Sequence, residues 1–447
     1  LKQEDIKDIK SYGYVFEHEK TKAKLVYIKN DDKNKVFSVA FRTPPTNNTG
    51  IPHIIEHSVL CGSKKYPAKE PFVELLKSSL KTFLNAMTFP DKTLYPVASC
   101  NDKDLRNLMS VYMDAVFNPN IYIEEKIFKQ EGVRYELENA DDELKLNGVV
   151  YSEMKGAFSD PDSVLERYCL NSLYPDTTYG FESGGDPEVI PTLTYEGFVN
   201  FHKKYYHPSN SYIYLYGNMD MDEQLRWLND EYLSKYDRSE VDSEIKRQKA
   251  FDKPALQVID YPISKEEEPE GKTWISTQWS VGDTLDNELY YALQILEYVL
   301  VGAEGAPLRK ALIKSGIAED VLGDQLADIY QPFFRVMIKN TDPDKKDEFL
   351  RIVDDTLRDL VQNGIDKRSL EAAINNMEFR IREADFGGYP KGLVYLMQSL
   401  ESWLYDDNEP IMHLKFEDTF AFFKEHMEDG YFEGLIEKYF IENNHSA

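Results

Sequence analysis

The chain has 447 residues, 42% hydrophobic and 13% aromatic, a length beyond the usual single-domain range, so two or more domains are expected. Its formal charge of -27 argues against nucleic acid and anionic lipid as partners, because phosphate contacts need clustered Lys and Arg. No run approaches the roughly 18 apolar residues of a membrane span, and Cys61, Cys100 and Cys169 lack the CxxC spacing of a metal site and the even number of a disulfide framework.

The three cysteines suit a reducing compartment, and the opening LKQEDIKDIK is polar with no secretory core, so a soluble protein is expected, cytoplasmic rather than organellar. Because residue 1 is Leu, a removed upstream segment is an accompanying expectation. In chain order, AKLVYIKN and KVFSVAFR alternate as two strands around the turn-forming NDDKNK and predict a hairpin. PTNNTGIPHIIEHSVLCG then switches to helical spacing, with Pro52 suited to a first helical turn. Helices are predicted at about 70 to 80, 102 to 117 and 122 to 138, with TFLNAMTFPDKTLYPVAS as a strand pair among them and NADDELKLNG as a polar hairpin-like insertion. GVVYSEMKGAFSD resumes a helix, residues 174 to 191 form a loop, and FVNFHKKYYHPSN followed by SYIYLYGN gives helix, turn and strand.

A charged, Pro-containing stretch from Ser239 to Lys272 marks a domain boundary near residue 245. Beyond it TWISTQWSVG reads as a strand, NELYYALQILEYVLVGA and LRKALIKSG as helices, FFRVMIKNT as a strand and KKDEFLRIVDDTLRDLVQNG as a long amphipathic helix. This repeats the earlier order. Laying HIIEHSVLCG on QILEYVLVGA sets His53 opposite Gln294, Glu56 opposite Glu297 and His57 opposite Tyr298. The expected fold is α+β, with two homologous domains, each a mostly antiparallel sheet packed with helices: residues 1–245 carry the chemistry and residues 246–447 lack the metal ligands.

In His53-Ile54-Ile55-Glu56-His57 the histidines are four apart, so on a helix they share a face and can share one metal ion. Glu56 then stands beside the metal as a base for water, in the reverse order of HExxH. The pattern arises by chance in about one sequence in a hundred. A third ligand is needed, and Glu153 in VVYSEMKGA is the candidate, on a helix with Val149, Val150 and Met154 available to pack. A solvated helix face is the commoner place for such a Glu, so the residues alone leave it open. His207 precedes a Pro in a turn, His18, His413, His426 and His445 have no ligand-spaced partner, and His202 and His207, five apart, do not share a helix face.

The stretches GIPHIIEHSVLCGSKKYPAKEPFVELLKSSLKTFLNAMTFPDKTLYPVAS, QEGVRYELE, GVVYSEMKG and SGGDPEVIPTLTYEGFVNFHKKYYHPSN resemble the presequence protease and falcilysin branch of the pitrilysin and insulin-degrading enzyme family, the inverzincins. The resemblance implies that His53, His57 and Glu153 bind one zinc per chain and that Glu56 is the general base. It also implies that the backbones of Leu84, Asn85 and Ala86 pair with substrate as an added strand, although an ordinary sheet strand accounts for the same residues. Leu60 would line the pocket for the residue after the cut, or serve the core; Glu131 would orient a ligand, or lie on a helix surface.

Members of this branch are about twice as long and resemble a clamshell of two halves. The chain is therefore read as an amino-terminal half, whose missing carboxy-terminal half would supply an Arg and Tyr pair and the second wall of the chamber. The expected function is a zinc-dependent endopeptidase acting on unstructured oligopeptides, weak without its other half. A non-catalytic scaffold or peptide-binding subunit is the alternative, and an acidic module that captures basic peptides is a third reading. Cys61, four residues after His57, reads as a small packed residue or an oxidation-sensitive one.

Overall fold

The computed structural model describes residues 2–69 and 71–447 and is mixed α and β. Two compact units emerge. The first comprises residues 1–158, 181–246 and 386–399; the second comprises 159–180, 247–385 and 400–447. The chain passes between them at Lys246 and Arg247, but the units are not contiguous as the expected 1–245 and 246–447 division had them. Residues 159–180 join the second unit because Tyr174 is fully buried there, its hydroxyl donating to the Gln331 carbonyl at 2.6 Å with Ser280 Oγ 3.2 Å away. Residues 386–399 join the first, where the Tyr395 ring lies 5.9 Å from that of Tyr216.

The sheet of the first unit runs in the order Lys2–Ile6, Ser11–Glu17, Lys24–Lys29, Ser211–Gly217, Lys35–Arg42, Lys92–Ser99, Lys81–Leu84, with Met87–Thr88 also paired to Lys92–Ser99. The predicted hairpin of Lys24–Lys29 with Lys35–Arg42 does not form. Ser211–Gly217 inserts between them, parallel to the first and antiparallel to the second. The reason lies in its composition: SYIYLYG is buried at every position, so it needs a central place covered on both faces. The predicted pairing of TFLNAMT with TLYPVAS does form, and Lys81–Leu84 ends the sheet.

The helices at Pro71–Ser78 and Asp102–Phe117 fall where periodicity placed them, although Glu70 lies outside the described residues. The helix expected over 122 to 138 is shorter, Glu125–Glu131, and Arg134–Glu136 turns into a strand paired with Lys145–Asn147. The polar insertion thus recruits residues that single-sequence periodicity assigned to the helix.

The second unit holds a three-stranded antiparallel sheet, Thr273–Ser280, Phe333–Thr341, Asp320–Leu326. The last of these went unread, because DVLGDQL mixes charge and Gly with few β-formers. The helix Lys346–Asn363 buries Phe349, Val353, Leu357 and Leu360, the stripe its amphipathic pattern predicts.

One buried histidine gives the first unit a testable acid response. His202 Nε2 donates to the Val116 carbonyl at 3.0 Å and its Nδ1 accepts from the Tyr122 hydroxyl at 2.6 Å, which fixes the neutral ring. Burial lowers its pKa from 6.5 to about 3, with the Val116 bond opposing. The unfolded chain therefore binds one more proton between those values, and stability falls as pH drops below 6.5. Relative to His202→Gln, the folding constant of the wild type is expected to fall about 15-fold in total from pH 6.5 to pH 5. Urea titrations of both proteins across that range check it; parallel pH profiles would contradict the neutral buried ring.

Candidate metal centre

The helix Ile51–Val59 begins at Gly50, which has φ 68°. A Cβ at Gly50 would stand 2.6 Å from the Gly184 carbonyl oxygen, so both the left-handed backbone and the contact require Gly. That approach brings the 182–186 loop onto the helix. Asn48 fastens it, with the Asp186 N–H donating to the Asn48 carbonyl at 2.8 Å and the Glu182 N–H to its Oδ1 at 2.9 Å. The Gly184 carbonyl then accepts from His53 Nδ1 at 3.2 Å.

A carbonyl only accepts, so the proton sits on His53 Nδ1 and the Nε2 lone pair is left free. His57 is set in the same way, its Nδ1 3.4 Å from Glu131 Oε2. The two free nitrogens face one carboxylate: His53 Nε2 lies 3.7 Å and His57 Nε2 3.8 Å from Glu153 Oε2. Those separations are too long for hydrogen bonds.

Glu153 arrives on the helix Val149–Ala157. A Cβ at Gly148 would lie 2.0 Å from the Gly132 carbonyl oxygen, so this helix starts in backbone contact with the residue that follows Glu125–Glu131. Val150 is buried beneath it and Met154 half-buried, whereas Val149, expected to pack, is 44% exposed. The Glu153 side chain is 55% exposed, against 12% for His53 and 25% for His57, so the cluster opens to solvent on the Glu153 side.

One donor atom from each of His53, His57 and Glu153 lies within 4.8 Å of the others. Two unprotonated imidazole nitrogens and a carboxylate oxygen, held apart by more than hydrogen-bond length, fit a zinc ion with bonds of about 2 Å. Glu56 is not one of these donors. It is buried, and Thr88 Oγ1 donates to its Oε2 at 2.8 Å. The phenols of Tyr95 and Tyr112 are wholly buried, and burial, reinforced by the charge of Glu56, pushes both pKa values well above the usual phenol range; they stay neutral beside the carboxylate.

Burial pulls the His57 pKa down, but Glu131, with Glu56 and Glu153, outweighs it and the net shift is upward. Glu131 moves the opposite way: burial raises it, and hydrogen bonds from His57, Gln130 and Cys61 lower it further than that. Cys61 Sγ donates to Glu131 Oε1 at 3.4 Å. Glu131 thus faces His57 from inside the protein, only 6% exposed, rather than lying on a helix surface. Glu131→Gln is expected to weaken zinc binding by about 10- to 100-fold, read by competition with a chromogenic chelator; unchanged affinity would reduce Glu131 to a packing residue.

Leu60 closes the helix and packs half-buried against the core. Leu84 and Ala86 also pack on that core, while Asn85 is exposed. The Asn85 backbone is engaged within the unit: its N–H donates to the Pro96 carbonyl at 3.3 Å, and its carbonyl accepts from the Tyr112 hydroxyl at 3.1 Å. An incoming strand would therefore have to pair through its neighbours. Thr88 and Gly184 were not singled out from sequence. The Gly pair in SGGD signalled a loop, but nothing local connects residue 184 to residue 53.

Comparison with known proteins agrees with this architecture. The family description "Insulinase (Peptidase family M16)" matches residues 41–158, and "Peptidase M16 inactive domain" matches residues 192–377. The chain belongs to peptidase family M16. Among its relatives, the protein HypA of Clostridium perfringens is 54% identical over the whole chain and 46% of its own length. Presequence protease 1, chloroplastic/mitochondrial, of Arabidopsis thaliana is 43% identical over the whole chain and 42% of its own length. A protease from Helicobacter pylori shares the fold, with a TM-score of 0.69 at 16% identity over 97% of this chain and 98% of that one.

The chain thus spans somewhat less than half the length of the curated relatives it matches. One of those relatives is bacterial and the other is named for organelles. No helix among the described residues is long and apolar enough to cross a membrane.

Proposed function

We propose that this chain is the zinc-binding, catalytic part of an M16 endopeptidase that cuts unstructured oligopeptides. The observation that carries the reading is the convergence of His53 Nε2, His57 Nε2 and a Glu153 oxygen beside a buried Glu56 that is not one of the donors. Zinc bound there supplies a Lewis acid that polarises a peptide carbonyl and acidifies water. Glu56 is the base: Thr88 holds Oε2, leaving Oε1 to take the proton of the attacking water and later deliver it to the leaving amine. His53 and His57 are kept in the ligating tautomer by Gly184 and Glu131. The peptide is proposed to lie along the end strand Lys81–Leu84, pairing through Leu84 and Ala86, with an apolar side chain after the cut against Leu60.

Residues matching the longer relatives' remaining half are proposed to complete substrate binding. The scaffold alternative draws on the "inactive domain" match, but that match covers 192–377 and leaves the cluster at 53, 57 and 153 outside it. Elemental analysis should find one zinc per chain. The chain alone should cleave a fluorogenic unstructured peptide at least 100-fold more slowly than the chain joined to a carboxy-terminal half. Absence of zinc after reconstitution would favour the scaffold, and rapid turnover by the chain alone would remove the need for a second half.

A further inference from the structure

The second unit contains a cavity of about 180 Å³, far from full drug-pocket size and equal to the liquid volume of about six waters. Two helix faces and one strand line it. Gln294 and Glu297 come from the helix Asn287–Glu297, and Tyr298 from the π-helical turn Tyr298–Gly302 that follows it. Asn376 and Arg380, one turn apart, come from Lys367–Glu383, and Gln325 from the end strand Asp320–Leu326. Gln294, Glu297 and Tyr298 are the positions that the internal repeat sets opposite His53, Glu56 and His57. The metal-binding side chains have gone, but a concave site remains.

Its polar groups are not matched among themselves. Gln325 Oε1 is buried with no hydrogen-bond partner among the described residues, which leaves an acceptor's desolvation uncompensated. Glu297 is raised to about 7 by burial first and the charge of Asp324 second, with no cation among the described residues offsetting them. Arg380 lines the same cavity without neutralising Glu297. A carboxyl lacking a cation and a guanidinium in no ion pair among the described residues are complementary to one small molecule carrying an ammonium and a carboxylate. π-helical turns of the kind at Tyr298–Gly302 concentrate at functional sites.

We propose that this cavity binds a free α-amino acid or dipeptide, its ammonium on Glu297 and its carboxylate on Arg380. All the lining residues belong to the second unit, so the site stands whether or not the peptidase reading does. Under that reading, an ammonium and a carboxylate are the groups that peptide cleavage exposes on its products.

Isothermal titration of the full chain tests it with L-leucine and glycyl-L-leucine, against N-acetyl-L-leucine, which lacks the ammonium, and L-leucinamide, which lacks the carboxylate. Saturable binding of one ligand per chain is expected, at least 10-fold weaker for each capped probe. Glu297→Gln should abolish the preference for a free ammonium, and Arg380→Ala, at an exposed position, should weaken binding at least 10-fold without disturbing the fold. His53→Ala and removal of zinc should change nothing. The proposal fails if no uncapped probe binds saturably, or if binding disappears with His53→Ala or zinc removal while Glu297→Gln and Arg380→Ala bind normally.

Discussion

Replacing Glu56 with Gln is expected to lower peptide turnover by the active assembly by about 10³-fold while leaving one zinc per chain. The magnitude is that of a lost general base. The separation of the two readouts follows from the geometry. His53, His57 and Glu153 supply the converging donors, and Glu56 lies outside that set, on the helix of the two histidines and hydrogen-bonded to Thr88. Gln keeps the size of the side chain and can keep the Thr88 contact through its amide oxygen, so the helix and the ligands stay in place. What it cannot do is accept a proton at neutral pH. The measurement is kcat for a fluorogenic peptide with zinc content on the same sample. Near-normal kcat would require another base, and loss of zinc along with activity would make Glu56 part of the ligand set.

The parts of this site that were legible in the sequence are the parts that helical periodicity governs. His53, Glu56 and His57 lie within five residues, and the i, i+4 rule alone puts both imidazoles on one face. Glu153 was a different problem. Its helix was legible, but its placement beside His53 depends on Gly148 meeting Gly132 and on a short two-stranded insertion, neither of which periodicity encodes; the family resemblance supplied what the pattern could not. Thr88 and Gly184 act through contacts spanning 32 and 131 residues, which is why local reading passed over them.

The strand pairing departs from the sequence reading for the same reason. Lys24–Lys29 and Lys35–Arg42 read as a hairpin because sequence neighbours usually pair. The chain instead brings Ser211–Gly217 between them, a choice dictated by the burial demanded by SYIYLYG rather than by the turn at NDDKNK. The unit boundary shows it again: Tyr174 and Tyr395 carry their segments into units that linear order does not assign them to, because each finds its burial and partners there.

The sharpest test of the metal centre is Glu153→Gln, expected to reduce bound zinc from one per chain to near none after dialysis and to abolish cleavage with it. Glu153 contributes the only anionic donor of the three, and its Oε2 is the atom both free imidazole nitrogens face. A neutral amide oxygen in its place leaves two histidines and a weak third ligand, short of what a catalytic zinc site needs from protein. Because the side chain is 55% exposed, the substitution removes no buried packing, so the unfolding midpoint of the metal-free protein should not move. That combination separates a ligand from a structural residue. Zinc retained at wild-type affinity would assign the third position to another carboxylate. Zinc absent from the wild type as well, after reconstitution, would mean that the cluster is a relic of the family's chemistry and that this chain serves as scaffold.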